Sequence, residues 1–585
     1  MTSPRTVERT RTTTSPRAVL QKVRRETPAA LIGVVMSVLV IIPVIFIIIA
    51  AFSTAVPRPG NTEIGTFTLE NFSIFATPQG LESLFNSLIV GVGSAAVSLA
   101  IGALLAFIAA RTDAPWRRFI YIAGIAPMFL PALVGALAWS LLGSPSSGFF
   151  NVLLRDLGIP ITIDVYSLGG LIFVLGLFYA PYSFLLTYSS FAMMNADLEE
   201  AASIHGAGLR TMFRTVTLPL AIPALAGSAI LTFVLAMENF PIAAILGNPA
   251  GIETLPTYIY RLMSSSPVQA NTAAGIAIAL TALVAVITFG QQLLVNRRRY
   301  TTLTGKGSRP RPVRLKRLRW VATGFAIAYF ALAVVFPILA LVITSTTNTL
   351  FLPSFANLFD NGFSFKSIID TVLKADFQLA LTNSVIVAVV AALVGTVISF
   401  SASYVRYRTK SKLGQFLEQV AMAPLAIPSI VLGIGILWTW LTLPFPVYGT
   451  LAILIIGCVA LSMPQSYRSV SASMLQLDAD LENSAIMLGA NRLQAIRSIT
   501  IPLMRAGIAS TVLMLLMLCM RELTAALFLY TSKTRILSIL VYQSFENGSI
   551  TFAASASLVF IFVIGVLAIT AQLIGVRDQR IGGES

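Results

Sequence analysis

At 585 residues, with 56% apolar side chains, only 11% charged ones and a mean hydropathy of +0.84, this chain is too apolar for a soluble globular protein and reads as a polytopic membrane protein. Two cysteines and a single histidine, His205, are too few for a disulfide framework or a Cys/His metal centre. The formal net charge of +16 would suggest nucleic acid in a soluble chain, but membrane proteins gather Lys and Arg in cytoplasmic loops, so no nucleic-acid partner is called for.

Residues 1–27 form a polar, basic tail with the composition of a disordered segment. Pro28 to Val56 contains no charged residue and is long enough to cross a bilayer, and too long for the core of a signal peptide. Twelve apolar spans follow from hydropathy: about 28–53, 84–110, 119–142, 167–190, 221–247 and 271–294, then 320–344, 379–404, 415–442, 448–466, 506–530 and 553–575. With the N-terminus inside, the only basic residues off the cytoplasmic side are Arg58, Arg155, Arg261, Lys366, Lys374, Arg521, Lys533 and Arg535. That bias places both termini, including the tail at 576–585, in the cytoplasm.

The second half of the chain repeats the first. Asn86 to Thr112 aligns with Asn383 to Thr409, each segment opening on Asn and closing on Arg-Thr or Arg-x-Arg-Thr. Ala126, Pro127 and Pro131 match Ala423, Pro424 and Pro428. Each half, 28–295 and 320–575, holds six spans, and an even number makes the repeats parallel; the core repeats cover about 84–293 and 379–575. Between them, 296–319 carries ten basic residues and no acidic one, as expected of a cytoplasmic linker; a site for anionic lipid is the alternative reading.

Within each half a polar loop recurs, DLEEAASIHGAGLRTMFRTVTLP at 197–219 and DLENSAIMLGANRLQAIRSITIP at 480–502. Acidic residues suit a helix start, Gly206 and Gly489 can take the positive backbone dihedral of a turn between short helices, and Pro219 and Pro502 fit the re-entry into the next span. Glu200, Ala201, Ala202, Gly206, Val216, Leu218 and Pro219 resemble, position for position, the Glu-Ala-Ala loop of the integral membrane subunits of binding-protein-dependent ABC importers. Asn483, Ser484, Ala485, Gly489, Ile499, Ile501 and Pro502 follow the same register more loosely.

The resemblance implies an all-α type I importer permease fold, two permeases fused in one chain. It implies coupling helices that dock on two copies of an ATPase subunit, which carry ATP and Mg, and an extracytoplasmic substrate-binding protein. This chain is then a transport subunit in the inner membrane, without a cofactor of its own. Its only phosphate-loop-like stretch, LTGKGS, has Gly307 and Tyr300 where a Walker A motif needs Ser/Thr and Gly. The segments following the late spans of both halves resemble fused permeases of the ferric-iron group, whose relatives also handle phosphonates, thiamine and polyamines. A major-facilitator transporter also has six plus six spans, but RTDAPWRR at 111–118 lacks that family's glycine and Asp-Arg pairing, and the twin loops would have no purpose.

Two polar pairs interrupt late spans: Glu238 and Asn239, and Arg521 and Glu522. Ionisable groups inside a membrane need a partner or a wet cavity. The repeat register matches Glu238 with Arg521 and predicts an ion pair between the halves, which either only holds them together or lines or gates a pathway, with Pro241 loosening the helix beyond Glu238.

Overall fold

The structure, a computed structural model, describes residues 16–55, 65–194, 204–206, 208–297, 313–347, 354–359, 362–409 and 411–581. Among these, nine unbroken helices are long and apolar enough to cross a membrane, and three further helix pairs are sharply bent. In chain order they are α1 (Glu26–Ala51), α2 (Pro78–Arg111), α3a (Arg117–Phe129) with α3b (Ala132–Gly143), α4 (Leu168–Met193), α5 (Phe213–Met237) and α6 (Ala270–Gln291). The second half repeats this order with α7 (Leu318–Thr347), α8 (Ala375–Arg408), α9a (Gly414–Ala426) with α9b (Ser429–Thr442), α10 (Leu451–Leu475), α11a (Arg492–Leu503) with α11b (Arg505–Met520), and α12 (Ile550–Thr570). Nine of the twelve expected spans are unbroken helices, and the other three, 119–142, 415–442 and 506–530, fall on the bent pairs. The helix of the first span begins at Pro16, inside the tail expected to lack structure.

Two expectations need correction. The third span of each half is not a straight crossing: α3a and α3b meet at 100°, and α9a and α9b at 116°. Pro131 and Pro428 cause this, since a proline cannot donate the backbone hydrogen bond that would continue the helix, and the preceding Leu130 takes an extended conformation. The fifth and eleventh spans end at Met237 and Met520, before the polar pairs rather than around them.

Within each half α2 packs along α4, and α8 along α10, with α5 and α11b completing the two cores. The first helix of each half crosses to the other: α1 lies on α9b, and α7 lies on α3a and α3b. Tyr329 of α7 donates to the Leu177 carbonyl at 3.1 Å, and Thr323 donates to the Pro115 carbonyl at 3.1 Å. Gly435 permits the α1 contact, because a Cβ there would sit 2.5 Å from the Pro43 carbonyl oxygen. Small residues at such crossings are how helices associate in lipid, where no hydrophobic drive separates protein from solvent.

The opening residues of the repeats have a matched task. Asn86 donates to the Glu253 carbonyl (3.0 Å) and Asn383 to the Arg535 carbonyl (3.0 Å). Their neighbours Ser87 and Ser384 accept from Leu255 N and Leu537 N, each at 2.7 Å. Both pairs thereby fix the first turn of a short helix, Leu255–Ser264 or Leu537–Glu546, against α2 or α8, supplying partners to backbone groups that a helix end leaves open.

Candidate functional site

The second loop is described throughout. Asp480–Met487 is a short helix with acidic residues in its first turn. Gly489 follows with φ +97°, and Asn491 then caps α11a in a reciprocal pair with Gln494 (2.9 and 2.8 Å). Gly206 has the same left-handed sign, φ +81°, which a side chain would strain. Glu200, Ala201 and Ala202 lie outside the described residues. Leu218 and Pro219 open the apolar part of α5 half-buried, while Ile501 and Pro502 are exposed at the end of α11a.

Asn483 and Ser484 face solvent, Ser484 bonding back to the Asp480 carbonyl at 2.7 Å, and Ala485 is half-buried. The exposed crest of this loop is apolar: Met487 is 87% exposed and Leu488 90%, with Leu481, Ile486 and Leu493 beside them. Ile204, 80% exposed, holds the register of Met487 in the first loop. Contiguous apolar surface on a polar loop marks a contact site.

Three residues that the motif does not single out hold the loops in place. Glu482 is buried; it accepts from Tyr404 of α8 at 3.0 Å and from Thr500 of α11a, so one carboxylate ties the short helix to two spans. Arg408, at the end of α8, donates to the Met474 and Leu477 carbonyls (3.1 and 2.6 Å). Arg111, fully buried at the end of α2, donates to the Met194 carbonyl at 3.3 Å, the repeat equivalent of Leu477. Each arginine thus anchors the strand of chain that leads into a loop, satisfying the open carbonyls of a helix end.

The polar pairs end helices instead of interrupting them. Asn239 accepts from Ile242 N and donates to the Tyr179 hydroxyl (2.9 and 2.8 Å), and Glu522 accepts from Ala525 N at 2.9 Å. These are N-caps of the turn that follows each break. Pro241 stands in the first turn of that new segment, where its missing N–H costs nothing, so it does not loosen a continuous helix.

The expected ion pair between Glu238 and Arg521 does not form. Arg521 reaches across the halves to the Met128 carbonyl at 2.7 Å and the Leu130 carbonyl at 3.4 Å, both freed by the break in α3. One Glu238 carboxylate oxygen is buried without a hydrogen bond. Glu238 faces a cavity of about 260 Å³ whose other walls include Leu425 and Ile427 at the break in α9, Cys458, Cys519 and Glu522. Two carboxylates and no basic side chain line it.

Residues 98–300 and 395–580 each match the family described as the binding-protein-dependent transport system inner membrane component. The chain belongs to this family. Its relatives include a ferric transport system permease protein of Actinobacillus pleuropneumoniae, 26% identical over 85% of this chain and 71% of the relative. An Fe(3+)-transport system permease protein of Haemophilus influenzae is 23% identical over 86% of this chain and 92% of the relative. An inner membrane ABC transporter permease protein of Escherichia coli is 30% identical over 32% of this chain and 67% of the relative.

The permease is therefore a multi-pass transport subunit carrying the family domain twice. Glu482 is not legible from the motif, which begins at the following Asn483-Ser484-Ala485, although Asp-Leu-Glu is common to both loops. The anchoring arginines were visible as the closing residues of the repeat, but their acceptors are carbonyls, which leave no mark in a sequence.

Proposed function

We propose that this permease forms the whole translocation pathway of an ATP-driven importer for ferric iron, assembled with two copies of an ATPase subunit and an extracytoplasmic binding protein. ATP and Mg belong to the ATPase subunits, and the twin loops, on the cytoplasmic face with both termini, receive them. The observation that carries this reading is the apolar crest of Met487 and Leu488 next to the Gly489 turn, held to two spans by Glu482. Apolar side chains exposed at a loop tip suit a contact surface, and a loop tied to α8 and α11a would transmit the movement of a protein docked there into the membrane.

Cargo is read from the cavity. Glu238 and Glu522 line it while Arg521 is turned away to Met128, so carboxyl oxygens and no cationic side chain face what passes. Proteoliposomes holding the permease with its ATPase, loaded with ATP and depleted of ion gradients, test the reading. Uptake of ferric iron from its binding protein should require ATP, and Glu238→Gln should lower uptake while leaving binding-protein-stimulated ATP hydrolysis intact. Uphill uptake by the permease alone would refute the assignment; undiminished iron uptake in Glu238→Gln would refute the role of the cavity.

A further inference from the structure

A second cavity, of about 610 Å³, opens where α2, α3a and α4 meet at the membrane edge that carries the twin loops. None of α5, α10 and α11b, which wall the central cavity, contributes to it. Its lining combines Ala109 and Ala110 of α2, Arg117, Arg118, Tyr121 and Ile122 of α3a, and Tyr188 of α4. Arg117 donates to the Thr112 carbonyl, and Arg118 has no hydrogen-bond or ion-pair partner among the described residues. Both arginines are exposed.

The other half shows what a closed version of this place looks like. Arg406 and Tyr407 stand where the first half has Ala109 and Ala110, and Glu418 stands where it has Tyr121. Arg406 pairs with Glu418 at 2.6 Å, and Tyr407 donates to Glu418 at 3.5 Å. The second half is thus filled and neutralised; the first is hollow and cationic.

More positive charge is tethered beside it. Val313 N donates to the Arg111 carbonyl at 2.7 Å, Asp113 N donates to the Val313 carbonyl at 3.1 Å, and Leu315 N donates to the Asp113 carboxylate at 2.8 Å. These bonds hold Arg314, Lys316 and Arg317, all exposed, next to the cavity's mouth, and they occupy the acid nearest to it in sequence. Trp116 and Trp320, both exposed, bracket the region as interfacial anchors do. The positive-inside bias accounts for cations in loops, but not for a cavity with an uncompensated Arg118 on its wall.

We propose that this cavity binds the phosphate headgroup of an anionic phospholipid from the adjoining leaflet, with Arg117 and Arg118 at the phosphate and an acyl chain descending past Tyr121 and Ile122. Basic residues at a membrane surface attract acidic lipid by about 1 kcal/mol each. Loss of one arginine should then weaken binding roughly five-fold, and loss of both roughly thirty-fold.

The test uses the full-length protein in detergent, titrated with phosphatidylglycerol or phosphatidylcholine and followed by native mass spectrometry. Wild type should retain phosphatidylglycerol in preference to phosphatidylcholine, and the double change Arg117→Gln with Arg118→Gln should lose that preference about thirty-fold. Tyr121→Glu, which places a carboxylate where the second half has one, should do the same without removing either arginine, and Arg406→Gln should leave retention unchanged. Equal retention of both lipids by wild type, or undiminished phosphatidylglycerol on Tyr121→Glu, would overturn the proposal. Displacement by soluble glycerol phosphate at matched concentration would also overturn it, by assigning the site to a free anion.

Discussion

Removal of the Arg521 side chain should open the halves at the break in α3. Its guanidinium donates to the Met128 carbonyl at 2.7 Å and, at a weaker 3.4 Å, to that of Leu130. A hydrogen bond from a charged group is worth about 1.5–3 kcal/mol, and a buried carbonyl left without a donor costs about 1–3 kcal/mol. Arg521→Met therefore sacrifices about 3 kcal/mol of cross-half contact, on the order of a hundred-fold in the balance between closed and open arrangements. Opposing this, the change also removes the cost of burying a cation, which can exceed the gain from its partners.

Cys458 and Cys519, the chain's only cysteines, are buried and line the cavity behind this contact, so they report which effect wins. Labelling by a membrane-impermeant maleimide, applied from the face opposite the twin loops, should accelerate on the order of a hundred-fold in Arg521→Met. Arg521→Lys retains charge but lacks the fork that reaches two carbonyls, and should give roughly a ten-fold increase. Cys519→Ala assigns the signal. Labelling of Arg521→Met no faster than wild type would show that the contact does not hold the halves together.

Glu482→Gln keeps the size of the side chain but removes the carboxylate that accepts from both Tyr404 and Thr500. Binding-protein-stimulated ATP hydrolysis in the assembled transporter should fall at least ten-fold while membrane insertion is unchanged, and Tyr404→Phe should cost less, about 1 kcal/mol for one bond. At Gly206 and Gly489 a Cβ would meet nothing within 4 Å, so the penalty for a bulky residue is conformational, about 1–2 kcal/mol for a left-handed φ. Gly206→Val and Gly489→Val should each uncouple ATP hydrolysis from transport without loss of expression. Normal coupling in either would mean that the turn is not used in docking.

The spans were legible because each is a run of apolar residues long enough to leave no other choice, and the twin loops because duplication repeats Gly and Pro at one spacing. The bends at Pro131 and Pro428 were not. Proline is tolerated inside other spans of this chain, at Pro181 in α4 and Pro464 in α10, and hydropathy cannot distinguish those from a 100° turn. The exchange of α1 and α7 between halves is equally silent, since a lipid-facing stripe and a stripe facing another helix have the same composition. The partner of Arg521 is silent for a further reason: it is backbone, and a sequence distinguishes only side chains.

The repeat register gives the failure of that pairing its meaning. Arg521 and Glu238 occupy matched positions, and each looks toward the broken third span of the opposite half. Arg521 closes on the carbonyls of Met128 and Leu130; Glu238 leaves one buried carboxyl oxygen without a hydrogen bond among the described residues, and a cavity remains between it and Leu425 and Ile427. Two identical subunits around an axis would have to carry either two latches or two cavities. Fusing the repeats into one chain lets the two positions diverge, so that one side of the pseudo-twofold fastens the halves while the other leaves an acidic space between them.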